Sequence, residues 1–204
     1  MSGTAPRLED SPKRTQIMDA AAALFIAQGY GAVSMDAIAK AAAVSKATLY
    51  AHFRSKDALF ATIIREACQS NLTFGAFETH GADTRAALLE LGGRMLRFLL
   101  EDRALAIHRV VMAESVRFPE LGRAFYENGP RTSCGLFAGW LKAQADAGRL
   151  RLSDPLRAAE QFFGMLKGSA WGRAALGVPP APNEAEIDAT VASAVEVFLR
   201  AYGT

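Results

Sequence analysis

Three serines in the first third of the chain stand beside basic residues, in Ser11-Pro12-Lys13-Arg14, Ser45-Lys46 and Ser55-Lys56. Serine ahead of an apolar periodic segment is an N-cap, because its side-chain oxygen accepts a backbone N–H of the first turn. A cation just inside a helix start faces the positive end of the macrodipole, so its placement needs a reward from elsewhere. A helix N-terminus already offers unpaired N–H groups to an anion, and a neighbouring lysine strengthens the attraction to a phosphate strand and releases counterions on binding. The chemistry on offer is polyanion binding, with an ordinary solvated face as the plain alternative. Charge distribution fits either reading. The first 66 residues carry eight Lys/Arg against six Asp/Glu, and the remaining 138 carry fifteen of each, so the formal net charge of +2 lies at the amino end. Lys40, Lys46, Arg54 and Lys56 follow one another without an intervening acid.

Catalytic constellations are poorly represented. A di-iron helical bundle needs Glu-x-x-His on facing helices, but Leu105 precedes His108 by three and Phe77 precedes His80 by three. No nucleophile elbow, phosphate-binding loop or zincin motif occurs, and no cofactor is implied. Cys68 and Cys134 form no metal-ligand cluster. The start MSGTAPRLEDSPKR lacks an apolar targeting core and no run of 18 apolar residues exists, which predicts a soluble, cytoplasmic chain with reduced thiols and no membrane partner.

The elements that must position the basic serine pairs are all helical. Residues 1–11 read as a polar, disordered tail. Ser11-Pro12 opens a first helix whose Ile17, Ala21, Leu24 and Phe25 share a face before Gly29. Ser34 caps a short second helix to about Ala42, with Asp36 suited to its first turn. Ser45 opens a third to about Phe53, and Ser55 a fourth through Leu59, Phe60, Ile63 and Ile64. The second and third have helix-turn-helix spacing, with Ala39 and Ala43 small enough for close approach and Val44, Leu49 and Phe53 closing a small core. Helical periodicity then continues through Thr84–Glu101, Ala104–Phe118, Pro119–Asn128, Pro130–Ala147, Pro155–Leu176 and Glu184–Tyr202, with breaks at Gly81, Asp102-Arg103, Gly129-Pro130, Gly148 and Gly177–Asn183. The expected fold class is all-α: a three-helix helix-turn-helix domain over 12–56 and a larger helical domain over 57–204, with the fourth helix as the link.

At YGAVSMDAIAKAAAVSKATLYAHFRSKDALF the chain resembles the TetR family of bacterial transcriptional regulators. Thr48-Leu49-Tyr50, His52-Phe53, Ser55-Lys56 and Leu59-Phe60 carry the likeness over about residues 13–64, and RFPELGRAFYENGP at Arg117–Pro130 resembles one subgroup of the family's ligand domains. The resemblance implies that 12–56 is the DNA-binding domain and 57–204 the ligand-binding and dimerisation domain, and that Ser45, Lys46 and Ala47 approach base edges. It also implies that Ser34, Thr48, Tyr50, His52 and Lys56 hold the phosphate backbone, with Tyr50 able to touch thymine methyls as well. Ala43 stands where many relatives have glycine, so a positive φ there would be strained.

The function this implies is a homodimeric regulator of a palindromic operator, most simply a repressor released by a small, largely apolar molecule. An activator with the same fold stays open, as does, from another class, a small-molecule-binding helical protein or enzyme whose basic amino end docks on an acidic protein. Candidate ligand-lining residues are His108, Met112, Phe137, Trp140 and Trp171, all of which also suit ordinary core packing. The stripe of Val191, Val195 and Phe198, with Phe162 and Leu166 opposite, is the candidate dimer interface; the alternative is that it packs within one subunit.

Overall fold

The computed structural model describes residues 11–71 and 83–204. The disordered tail expected over 1–11 lies outside the described residues except for Ser11, as does the break expected at Gly81. The described residues form α1 (Pro12–Gln28), α2 (Met35–Ala41), α3 (Lys46–His52), α4 (Lys56–Asn71), α5 (Thr84–Leu100), α6 (Asp102–Glu114), α7 (Pro119–Asn128), α8 (Pro130–Asp146), α9 (Pro155–Leu166), α10 (Ser169–Leu176) and α11 (Glu184–Tyr202). The expectation of an all-helical chain holds; strand-like pairing is limited, among these residues, to one bridge between Leu150 and Gly203.

Four serines begin the first four helices as the sequence predicts. Ser11 Oγ accepts from Arg14 N–H (3.2 Å), Ser34 from Ala37 (3.1 Å), Ser45 from Thr48 (3.0 Å) and Ser55 from Ala58 (3.1 Å). Two elements differ from expectation. α6 begins at Asp102, where the sequence predicts a break, because a carboxylate suits the positive end of the helix, and it ends at Glu114 rather than Phe118. The single helix expected over Pro155–Leu176 is two, because the chain leaves helical geometry at Gly168 (ψ −155°). Glycine has the weakest helix preference after proline, and periodicity cannot see an interruption as short as Lys167-Gly168.

The chain divides into two compact units, and the division falls inside α4 and α6. This departs from a boundary at residue 56: the first unit runs to Glu66 and takes in Ala106–Asn128, while the second is Ala67–Leu105 with Gly129–Thr204. In the first, Phe25, Tyr30 and Phe60 form an aromatic cluster with ring centroids 5.3–5.7 Å apart, and Phe118 adds an edge contact to Tyr30 at 5.8 Å. Such pairs add to simple area burial. Ile17, Ile38, Leu49 and Leu59 complete this core, all without exposure. In the second unit α5, α8, α9 and α11 pack around Leu88, Leu91, Phe137, Leu141, Phe162, Leu166, Val191, Val195 and Phe198. Ion pairs rim it on the polar side: Arg97 binds Glu184 and Asp188 (both 2.7 Å), and Arg173 binds Glu186 (2.9 Å).

This core corrects the expected dimer interface. Phe162, Leu166, Val191, Val195 and Phe198 have at most 3% of their surface exposed, and they face one another within one chain, with Phe162 and Phe198 rings 5.4 Å apart. An apolar stripe has the same sequence pattern whether its partner comes from the same chain or another.

Ala43 has φ 48°, a left-handed conformation that costs an L-residue about 1–2 kcal/mol. Ala43→Gly is expected to raise stability by about 0.5–1 kcal/mol, the strain relieved less the extra freedom given to the unfolded chain. Chemical denaturation followed by circular dichroism checks this; a lowered midpoint would refute it.

Candidate nucleic-acid interface

Seven residues of α3 divide cleanly between interior and water. Leu49 is fully buried and Phe53, its C-cap, is 4% exposed, so the helix is pinned along one side. Lys46, Ala47, Tyr50 and Ala51 lie exposed on the other, and Tyr50 keeps 50% of its surface in water. A large aromatic ring held out from a short, well-anchored helix is available for stacking and for groove contact. Thr48 and His52 sit at the edges of that face, half-buried. The Ser45 hydroxyl is shared with Thr48 Oγ1 (2.8 Å). Ser34 is exposed and uses its oxygen as acceptor at the start of α2, which leaves its O–H free to donate to a phosphate oxygen. The structure therefore assembles Ser45, Lys46, Ala47, Thr48, Tyr50 and His52 on or beside one helix face, with Ser34 at a neighbouring helix start.

Three of the cations at the helix starts, Arg14, Lys46 and Lys56, behave differently from the polyanion expectation: each of the three has a partner inside its own unit. The Arg14 guanidinium binds Glu66 and lies over the Phe53 ring, 5.6 Å from its centroid. Lys46 Nζ donates to Asp36 Oδ2 at 2.6 Å, and that bond holds its pKa above the usual lysine range. Lys56 Nζ donates to the carbonyls of Tyr30 (2.7 Å) and Val33 (3.0 Å) and lies 4.2 Å from the Tyr30 ring centroid. The reward for a cation in the unfavourable dipole field is thus internal. For Lys56 this alters the expected role: two of its three N–H bonds secure the α1–α2 loop, and one remains for a phosphate. Lys40 and Arg54 are exposed, with no ion-pair partner among the described residues, and remain the cations open to solvent near α3.

The loop that Lys56 grips is held from the other side by residues sequence reasoning missed. Glu114, at the end of α6, accepts the N–H groups of Tyr30 (2.9 Å, Oε1) and Gly31 (2.8 Å, Oε2), one per carboxylate oxygen. The Tyr30 hydroxyl donates to Asp57, and burial above all, with that carboxylate, pushes the phenol pKa far upward so that it stays a donor. Glycine is required where the loop meets α6. A Cβ at Gly31 would stand 2.7 Å from the Phe118 ring, and one at Gly29 (φ +79°) 2.3 Å from Glu114 Oε1. The pair Tyr30–Glu114 spans 84 positions, so nothing local in the sequence marks it.

The expected ligand residues fall in both units. Phe137 is fully buried in the second unit's core, stacked on Trp140 at 5.8 Å and touching Phe162 and Phe163 (both 5.3 Å). This is core packing, which corrects its place as a lining residue. Met112 is 66% exposed on α6, and His108 faces Phe125 at 5.9 Å, both in the first unit. Trp140 and Trp171 border the second unit's core, with Lys167 Nζ 5.5 Å from the Trp171 ring.

Comparison with known proteins agrees with this architecture. The family model described as bacterial regulatory proteins, tetR family, matches residues 17–63, and that of the AefR-like transcriptional repressor C-terminal domain matches 86–204, more than half of the chain. The HTH-type transcriptional regulator UidR of Escherichia coli K12 is 34% identical over 113 residues, 55% of this chain and 57% of UidR, so the chain spans little more than half of that relative's length. A TetR-family transcriptional regulator from Mesorhizobium loti superposes with TM-score 0.80 at 31% identity, covering 98% of this chain and all of the other. The flavonoid-responsive regulator FrrA superposes at 0.74 with 36% identity, over 94% and 97% of the two chains. A helix-turn-helix unit followed by a helical second unit is the architecture that the two family models describe in turn along the chain. The chain belongs to the TetR family.

Glu114→Ala strips the acceptor from two loop amides. It is expected to lower stability by about 1–3 kcal/mol and to speed hydrogen exchange at Tyr30 and Gly31 selectively; unchanged exchange there would refute the clamp.

Proposed function

We propose that this chain is a homodimeric repressor that reads a palindromic operator through α3 and leaves it when a small, largely apolar molecule binds. The observation that carries the reading is Tyr50, half exposed on the free face of a helix whose opposite face is fully buried. Ser45, Lys46 and Ala47 at the helix start address base edges, while Ser34, Thr48, Tyr50, His52 and the remaining N–H of Lys56 address phosphates. One short helix covers too little surface for tight recognition, whereas two related by a two-fold axis read half-sites about 34–36 Å apart. The family model's description as a repressor supports the sign of regulation, and FrrA's response to flavonoids supports an aromatic, mainly apolar effector. Release is a shift of populations, with couplings of about 1–3 kcal/mol weakening operator binding about 5–150-fold. No described helix is long and apolar enough to cross a membrane, which suits a cytoplasmic regulator.

With the inner stripe consumed by the core, a second copy has to be met by the outer sides of the last helices. Leu156 (48% exposed), Leu176 (81%) and Val197 (52%) face water there and offer apolar area to a partner.

Selecting duplexes from a random pool tests the whole reading by yielding a palindrome. Tyr50→Ala is expected to weaken binding to the selected duplex by about 1–3 kcal/mol, with helix content unchanged, and wild-type affinity should fall steeply with salt. Salt-independent binding, or a fully active Tyr50→Ala chain, would remove the assignment. Val197→Asp is expected to shift sedimentation from dimer toward monomer; a dimer unaffected by this change would place the interface elsewhere.

A further inference from the structure

The exposed face that begins α3 carries an anion as well as a cation. Asp36 lies in the first turn of α2, where the macrodipole favours a carboxylate, and Lys46 in the first turn of α3, where it disfavours an ammonium. The two meet at 2.6 Å with both side chains largely in water, 65% exposed for the lysine and 59% for the aspartate. An ion pair so exposed contributes little to folding. Its position matters more, since it stands on the surface that a duplex would approach, and a carboxylate there repels every phosphate alike.

We propose that Asp36 is a specificity-determining residue: it holds Lys46 toward base edges and penalises binding that offers phosphate alone. The inference rests on the reading of α3 as the recognition helix. On a random duplex, a phosphate that captures Lys46 must displace Asp36 and sit beside it, so the gain from the new ion pair is largely offset by the one lost. At a matching base step no such conflict arises. The ammonium has three N–H groups, so it keeps one on Asp36 while two reach the O6 and N7 acceptors of a guanine. The same pair that costs affinity on arbitrary sequence thus orients the cation on the correct one, which is discrimination by a built-in repulsive element.

The test uses the full chain, the best duplex recovered by random-pool selection and a shuffled duplex of the same composition, each titrated across salt. Asp36→Asn preserves shape and removes the charge. It is expected to tighten binding to the shuffled duplex about three- to tenfold and to steepen its salt dependence by about one unit in log K against log salt. Affinity for the selected duplex should rise less or fall, so that the ratio of the two drops at least threefold. Asp36→Ser, also well suited to a first helical turn, should do the same, which guards against a folding defect peculiar to one variant. In a Lys46→Met background the Asp36→Asn change should leave the ratio within about 1.5-fold, because the aspartate is argued to act through the lysine. Equal tightening on both duplexes, or an undiminished loss of discrimination in the Lys46→Met background, overturns the inference while leaving the recognition helix intact. A wild-type chain that binds no duplex overturns both.

Discussion

Helix α3 is only as well placed as the loop between α1 and α2, and that loop depends on its backbone polar groups finding partners. Residues 29–34 run between helices without a ladder of their own. Buried N–H and C=O groups left unpaired would cost more than the segment's apolar contacts return. Every answer comes from outside the loop: the Glu114 carboxylate takes two N–H groups, the Lys56 ammonium takes two carbonyls, and Phe25 O takes the Gly29 N–H at 3.0 Å. Tyr30 then fills the centre of the aromatic cluster and spends its hydroxyl on Asp57. The loop sets where α2 begins, and α2 with the strained turn at Ala43 sets where α3 begins.

Seen from this loop, the distribution of charge has a different meaning from the one it carries in the linear chain. The count of basic residues in the first third is correct, yet Arg14, Lys46 and Lys56 are engaged by Glu66, Asp36 and backbone carbonyls. A surface that presents tyrosine, serine, threonine and a partly neutralised lysine suits groove contact, where geometry discriminates, better than indiscriminate attraction to phosphate. The modest net charge of the chain agrees with that division.

The second unit makes a similar point through hydrophobicity. Its helices α5, α8, α9 and α11 bury one continuous apolar interior, with Phe137 against Phe162 and Phe163, and Phe162 against Phe198. Aromatic residues spaced along helices were open to three readings: core, cavity lining or subunit interface. Packing assigned Phe162, Phe198 and Phe137 to the first, since a helix has only one most-apolar face and other helices of the same chain claimed it.

What the sequence by itself determined is local. Serine caps at 11, 34, 45 and 55, the helix-turn-helix spacing and, apart from the interruption at Lys167-Gly168 and the ends of α6, the helices expected among the described residues follow from interactions within a few residues, and they are present. The motif from Thr48 to Phe60 was legible for the same reason. What only the tertiary structure decided is who answers whom across long separations: Glu114 to Tyr30, Arg14 to Glu66, Phe162 to Phe198. A charge or an apolar stripe states a need for a partner without naming it, and the choice among partners is made by packing, which sums over the whole chain at once.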